Sequence, residues 1–234
     1  MYKYKNKLTV KKGMKRYDNK KPRTGRRRPK TRTKRNQPKL TLGFPTRLSV
    51  TLHYEDLIAI NPGAPRASYM FRGNSCYDPD YTSTGHQPRY YDQYSAIYQK
   101  YKVLKSTCTI EMLNYSGTSG LIFALVPNTD IITFTSWEMA AELPLAKISK
   151  ILPVASRYPF VVSGSRTTES VCGLLPYQIN DEDYSASVAN NPVSVWYWNL
   201  CMESIDATTN VEANFRVKIE YVVDFYERAV IGAS

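Results

Sequence analysis

Residues 211–225 read VEANFRVKIEYVVDF, and this stretch decides the fold class. Every odd-numbered position from Val211 to Phe225 is apolar, whereas the even-numbered positions are polar except for Val222. An alternation with a period of two over fifteen residues is typical of a half-buried β-strand and not of an amphipathic helix, whose period is about 3.6 residues. The C-terminal part of the chain is therefore predicted to form a long strand in a sheet with one polar face.

The same pattern recurs upstream. Residues 48–54 and 104–112 also place apolar side chains on one face, and residues 121–126 form a continuous apolar run that ends at Pro127. The shorter predicted elements are strands at 68–72, 158–163 and 193–202, with a turn at 164–165. About seven or eight strands in the last 190 or so residues predict an all-β sandwich or barrel.

Helical signals are brief. Residues 136–143 begin with a serine suited to cap a helix and are followed by Pro144, so a short helix is predicted there. Residues 92–101, which begin with Asp92, are a second candidate helix. Both lie in connections between predicted strands.

The charge of the chain is unevenly distributed. Of its 234 residues, the first 39 contain 11 Lys and 7 Arg but a single acid, Asp18, which is a balance of +17. Residues 40–234 carry 14 basic and 19 acidic residues, a balance of −5. Residues 1–39 also contain few large apolar side chains, so they cannot bury enough surface to offset the entropy lost on ordering. The sequence predicts a disordered basic arm at 1–42 and a mildly acidic β-rich domain at 43–234.

Nucleic acid is the partner that this arm suits best. Its prolines and glycines disfavour a helix, and Arg and Lys neutralise phosphates without reading bases. The predicted nucleic-acid-binding residues are Lys11, Lys12, Lys15, Arg16, Lys20, Lys21, Arg23, Arg26, Arg27, Arg28, Lys30, Arg32, Lys34, Arg35 and Lys39. Seven of them, Lys20, Lys21, Arg23, Arg26, Arg27, Arg28 and Lys30, also match a nuclear localisation signal. A solubilising tail and an arm that binds acidic membranes are the alternatives.

Neither a transmembrane segment nor a secretory signal is expected. No apolar run reaches the roughly 18 residues that cross a bilayer, and the charged N-terminus does not read as a secretory signal.

Signals for catalysis and for metal binding are weak. The two histidines are His53, on the polar side of a predicted strand, and His86, in a loop; no P-loop, GxGxxG or GxSxG pattern occurs. Asp78 with Asp80, and the acidic run at 181–183, do not match a known calcium-loop spacing and are interpreted as solvated turn residues. The four cysteines are interpreted as reduced structural thiols: Cys76, Cys108, Cys172 and Cys201. We therefore expect neither an enzyme nor a cofactor or metal site.

Tyrosine is unusually frequent. There are 19 tyrosines, and seven of them lie between Tyr77 and Tyr101. Amphipathic rings at this density favour a protein interface, although they could also stack against bases.

Residues 71–103 read FRGNSCYDPDYTSTGHQPRYYDQYSAIYQKYKV. This segment resembles one found in capsid proteins of small circular single-stranded DNA viruses that encode a rolling-circle replication protein. The resemblance covers Phe71-Arg72 with Asn74-Ser75, then residues 77–80, 85–88 and 92–94, and the ending at Tyr98, Tyr101 and Val103. The order of a basic arm followed by one β-rich domain is also similar.

The resemblance implies a single jelly roll of eight antiparallel strands and a shell of about sixty copies. It also implies that the arm lies inside on a circular single-stranded DNA genome, and that the loop at 71–103 fixes subunit geometry. The candidate interface residues are Tyr77, Asp78, Asp80, His86, Gln87, Tyr90, Tyr91 and Tyr94.

The expected partners are therefore other copies of the chain, the genome, the host nuclear import machinery and a host receptor that the sequence does not identify. The expected locations are the virion and the host nucleus. Two alternatives stay open, a jelly-roll coat protein of a small RNA virus and a cellular nucleic-acid-binding β-barrel module.

Overall fold

In the computed structural model, residues 43–115, 119–132, 134–148 and 160–229 are described. The β-strands in these ranges are β1 Arg47–Ile60, β2 Arg66–Arg72, β3 Tyr98–Tyr115, β4 Leu121–Asn128, β5 Lys147–Ile148, β6 Phe160–Thr167, β7 Ala186–Ser187, β8 Tyr197–Ser204 and β9 Ala213–Arg228. The short α-helices are α1 Tyr91–Ser95, α2 Trp137–Glu142 and α3 Thr168–Cys172, and 3₁₀ turns occur at Gln178–Asn180 and Glu182–Tyr184. The predicted arm, with every predicted nucleic-acid-binding and nuclear-localisation residue, lies outside the described residues.

The strands form two antiparallel sheets. One has the order β1-β9-β3-β6, with the two-residue β7 added to β3, and the other has the order β2-β8-β4-β5. The pairing is nested along the chain: β1 pairs with β9, β2 with β8, β3 with β6 and β4 with β5. This is the strand order of an eight-stranded jelly roll, in which a long folded hairpin wraps into a two-sheet sandwich. The predicted all-β jelly-roll fold is confirmed.

The core lies between the two sheets. In β9 the odd-numbered side chains predicted to face inward are buried, and Phe215 meets Phe123 of β4 across the sandwich, with their ring centroids 6.4 Å apart. Strand β9 sits between β1 and β3, so its backbone is paired on both edges. The stretch that decides the fold class is therefore the central strand of its sheet.

A second, smaller apolar cluster lies on the outer face of the other sheet. Helix α2 is capped by Ser136, whose side chain accepts a hydrogen bond from the Met139 amide, as predicted. The helix packs Ala140 against Ala124 of β4 and Cys201 of β8. Strand β8 is consequently buried on both faces, which explains why its sequence does not alternate.

Three sequence predictions of local structure were wrong, and for the first two the cause is tertiary packing that prevailed over local signals. The candidate helix 92–101 is replaced by the shorter α1, Tyr91–Ser95, which begins one residue before Asp92 and ends early because the chain enters β3 at Tyr98. Tyr98 and Tyr101 are fully buried and pack around Phe225 of β9, which requires an extended backbone at this point.

The turn predicted at 164–165 is instead part of β6, which continues to Thr167. Gly164 serves packing, because a Cβ atom there would lie 2.9 Å from the Trp198 ring. The strand predicted from residue 193 begins only at Tyr197, and Val193 itself is 82% exposed.

Candidate subunit-interface loop

The segment that carries the predicted interface residues, 73–97, connects β2 to β3 and is called the tyrosine loop below. Its start is fixed by buried polar side chains. The Asn74 Nδ2 donates to the Ser194 carbonyl at 2.8 Å, and the Trp196 amide donates to the Asn74 Oδ1 at 3.0 Å. The Ser75 hydroxyl donates to Asn191 at 2.6 Å and lies 3.0 Å from the Tyr101 hydroxyl. The loop is thus attached to the segment that precedes β8.

Arg72, the last residue of β2, holds the next part of the loop. Its Nη1 lies 2.8 Å from the Asp78 carboxylate and donates to the carbonyls of Asp78 and Asp80 at 2.9 and 2.6 Å. The guanidinium also lies 5.5 Å from the centre of the Tyr81 ring. Both members of the ion pair are more than four-fifths buried, so the contact is better shielded from solvent and salt than a surface pair.

The interpretation of Asp78 and Asp80 as solvated turn residues was wrong, because Asp78 is paired with Arg72 and Asp80 is buried. The Asp80 carboxylate is hydrogen-bonded by neighbouring residues. It accepts hydrogen bonds from the Tyr69 hydroxyl at 2.7 Å and from both the amide and the hydroxyl of Thr82 at 2.9 Å. Burial raises the pKa of Tyr69 to about 12, so the phenol stays protonated and continues to donate. Asp80 therefore acts as an internal acceptor that shapes the loop.

His86 joins the loop to the edge of β1. Its Nδ1 lies 2.8 Å from the Gln87 carbonyl, and its Nε2 lies 3.0 Å from the Glu55 carbonyl of β1. The centroid of its ring lies 4.9 Å from that of the Tyr54 ring. Both ring nitrogens face acceptors, and only the imidazolium can donate to both. The Gln87 carbonyl, with a smaller contribution from Glu55, raises the pKa of His86, and burial opposes this. Gln87 in turn donates to the Tyr77 carbonyl at 3.0 Å.

The loop tyrosines divide into buried and exposed groups. Tyr91 is buried, and its hydroxyl donates to the Val188 carbonyl at 2.9 Å. Its ring packs edge-on against the Tyr101 ring, with the ring centroids 5.6 Å apart. Tyr94 is half-buried, and its ring stacks on that of Phe225 with the ring centroids 5.2 Å apart. Tyr90 is 69% exposed and has a left-handed backbone, with φ 71°, at the start of α1. A strained, exposed aromatic residue on an otherwise fixed loop is a candidate contact residue.

The structure therefore sorts the eight predicted interface residues by exposure. Tyr90 and His86 are exposed, whereas Asp80 and Tyr91 are buried in the chain, so any part that these two take in an interface is indirect. The sequence prediction missed Arg72, Asn74 and Ser75 as the residues that hold the loop. All three stand in the motif that carries the resemblance, directly at the end of a predicted strand, and that position was the available signal.

The remaining candidate residues have ordinary structural surroundings. His53 is exposed on β1, with its Nδ1 3.7 Å from Glu220. Residues 181–183 are exposed acids, with Asp181 between the two 3₁₀ turns and the other two in the second turn. The described residues contain no group of three or more His, Cys, Asp or Glu side chains that could hold a metal ion. In the same part of the chain, no helix is long and apolar enough to span a bilayer.

The four cysteines are unpaired, as predicted. Burial raises the pKa of Cys172 to about 11 and that of Cys201 to about 12, and it also raises the pKa values of Cys76 and Cys108. Thiols with such values are poor nucleophiles near neutral pH.

No family model matches the chain. None of the curated proteins matches it in sequence either. Similar solved structures include Desmodium yellow mottle tymovirus, with 10% identity, full coverage of both chains and a TM-score of 0.45. The 60-mer BFDV capsid protein has 12% identity, covers 82% of this chain and 100% of its own, and has a TM-score of 0.40. Maize chlorotic mottle virus has 16% identity, coverages of 81% and 98%, and a TM-score of 0.39. Because these TM-scores lie below 0.5, the fold assignment rests on the strand order alone.

Proposed function

We propose that the chain is a viral coat protein that assembles into a small icosahedral shell of about sixty copies and packages a circular single-stranded DNA genome. One observation carries the proposal, namely that an eight-stranded jelly roll and a segment with 18 basic residues against one acid occur in the same chain. The first is a body suited to packing against copies of itself, and the second is suited to neutralising phosphates.

The tyrosine loop supplies a rigid contact surface for such packing. Its polar groups are hydrogen-bonded to β1, β2 and the segment before β8, so its exposed residues are held in place before another copy arrives. Preorganisation of this kind lowers the entropy cost of association. Tyr90 is the residue that we assign to the contact.

The charge of the arm suits a small genome. At +17 per copy, about sixty copies bring about 1000 positive charges, which match about 1000 nucleotides at one phosphate each. The resemblance of residues 71–103 favours a DNA genome, and the basic clusters at 20–30 favour delivery through the host nuclear import machinery. A jelly-roll coat protein of an RNA virus would differ in the nuclease that destroys its packaged genome.

Negative-stain microscopy of the expressed full-length protein tests the proposal. We expect shells whose absorbance ratio reports bound nucleic acid, sensitive to DNase and not to RNase after the shell is opened. A protein that remains monomeric at all salt concentrations would refute the shell, and an RNase-sensitive content would refute the DNA genome.

The arm is tested by a matched pair of variants. One replaces seven basic residues of the arm by Gln: Arg26, Arg27, Arg28, Lys30, Arg32, Lys34 and Arg35. The control permutes the order of residues 1–42 and keeps their composition. Sequence-independent neutralisation predicts that the first variant loses most of its nucleic acid and that the permuted arm packages normally. Equal packaging by both variants would contradict the role of the arm.

A further inference from the structure

The outer edge of β1 is an open strand edge. β1 runs for 14 residues and pairs with β9 without a break in register. Among the described residues, no strand pairs with its other edge. Open edges of this length are templates for pairing with another strand, and proteins usually block them.

One half of this edge is blocked. The Glu55 carbonyl is bonded to the His86 Nε2, and the Leu57 amide is bonded to its neighbour Asp56 at 2.8 Å. Both groups therefore point away from β9. Because the N–H and C=O of alternate residues point to the same edge of a strand, the odd-numbered residues of β1 all direct their backbone groups outward.

The other half, residues 47–53, is open. Within the described part of the chain, the outward backbone groups of Arg47, Ser49, Thr51 and His53 have no hydrogen-bond partner. The inward side chains show the same asymmetry. Tyr54 and Ile58, in the blocked half, are buried, but Leu48 and Val50, in the open half, remain partly exposed although they face the core. A further strand along residues 47–53 would cover them.

We propose that a second copy of the chain supplies this strand. The four open residues lie symmetrically about Val50, so two copies can pair antiparallel around a twofold axis there, with Arg47 opposite His53 and Ser49 opposite Thr51. This register uses every open backbone group of residues 47–53 and stops before the position that His86 blocks. The partnered sheet continues from β9 through both β1 strands to the second β9.

Charge favours a second copy over the basic arm. The acids beside residues 47–53, Asp224 and Glu220 of β9, already have cationic partners in Arg47 and Lys218. A strand from the segment with a +17 balance would therefore meet no carboxylate that lacks a cation. The inference names one contact of the shell proposed above and rests on that function.

The register has a measurable consequence. Val50 lies opposite Val50 of the second copy in a pair without direct backbone hydrogen bonds, where Cα atoms are about 4.5 Å apart. That distance lies within the range of about 4.4–6.8 Å for a disulfide. The two copies of Leu48, on the same face, are offset by four residues, which is about 13 Å along the strand.

The experiment compares Val50→Cys with Leu48→Cys in the full-length protein under mild oxidation, with the unsubstituted chain as the baseline for its four native thiols. We expect Val50→Cys to shift from the monomer band to a disulfide dimer on a non-reducing gel, whereas Leu48→Cys stays monomeric. A folded Val50→Cys that stays monomeric overturns the proposal, and so does equal cross-linking of both variants.

A second pair of variants applies if the cysteine variants fail to fold. Thr51→Pro removes an outward amide in the open half and Ala59→Pro removes one beyond the blocked position, so neither breaks the pairing with β9. We expect Thr51→Pro alone to lose dimers in sedimentation, and equal dimer content in both variants overturns the proposal. Shells without a Val50 cross-link refute this contact and leave the proposed function intact. A Val50 cross-link without shells supports this contact and refutes the proposed shell.

Discussion

Removal of the Asn74 side chain tests whether the tyrosine loop is held as described. Asn74 is fully buried, and its amide group serves both the Ser194 carbonyl and the Trp196 amide. Asn74→Ala leaves the buried backbone N–H of Trp196 without an acceptor, which costs about 1–3 kcal/mol. It also leaves the half-buried backbone carbonyl of Ser194 without a donor, which costs about 1 kcal/mol. The expected loss is therefore about 2–4 kcal/mol, a large part of the roughly 5–15 kcal/mol of a typical domain.

Urea unfolding monitored by tryptophan fluorescence measures the loss, since Trp196 lies at the site. With a slope of about 2 kcal/mol per molar urea, the midpoint should fall by about 1–2 M. The matched control is Asn214→Ala, on an exposed position of β9, which should leave the midpoint nearly unchanged. A shift for Asn74→Ala no larger than that of the control would refute the account of how the loop is fixed.

Three further predictions concern separate parts of the domain. Gly164→Ala should lower the free energy of unfolding by about 1–3 kcal/mol, because the new Cβ meets the Trp198 ring, and thermal melting checks this. The hydrogen bond between His86 and β1 should stabilise the fold fully at pH values below 6.5, the ordinary pKa of histidine. This stabilisation should be lost as the pH rises through the raised pKa of His86 in the folded protein. The other charged or titratable groups around His86 are Glu55, Asp56 and Arg89. A pH series of urea midpoints should show this for the native chain and not for His86→Phe. Cys172, the one cysteine of the four that is not buried, should react slowly with a thiol reagent at alkaline pH in the native protein, whereas all four should react after unfolding.

The central strand of the fold could be predicted because its surroundings are simple. Strand β9 has a paired strand on either side, the core on one face and solvent on the other, so apolar and polar residues alternate in its sequence with a period of two. The edge strand β1 was predicted for the same reason. Helix α2 was predicted because Ser136 supplies a local cap that depends on no distant residue.

The errors occurred where distant residues decide the local structure. Phe225 draws Tyr98 and Tyr101 into β3, and Trp198 requires a glycine inside β6 at a position that resembles a turn. Neither partner lies near these positions in sequence. The exposure of the loop residues was likewise unpredictable, because the burial of Asp80 follows from Tyr69, which lies on the preceding strand.

The pairing of the first strand with the last has a consequence for biosynthesis. Arg47 contacts Asp224, 177 positions later in the chain, so the central sheet cannot close until nearly the whole domain has left the ribosome. Until then β1 exposes both of its edges, and non-local pairing of this kind is slow and prone to aggregation. Newly made chains therefore become competent to associate only once β9 has been translated, and a truncated product that lacks β9 should be captured by chaperones or degraded.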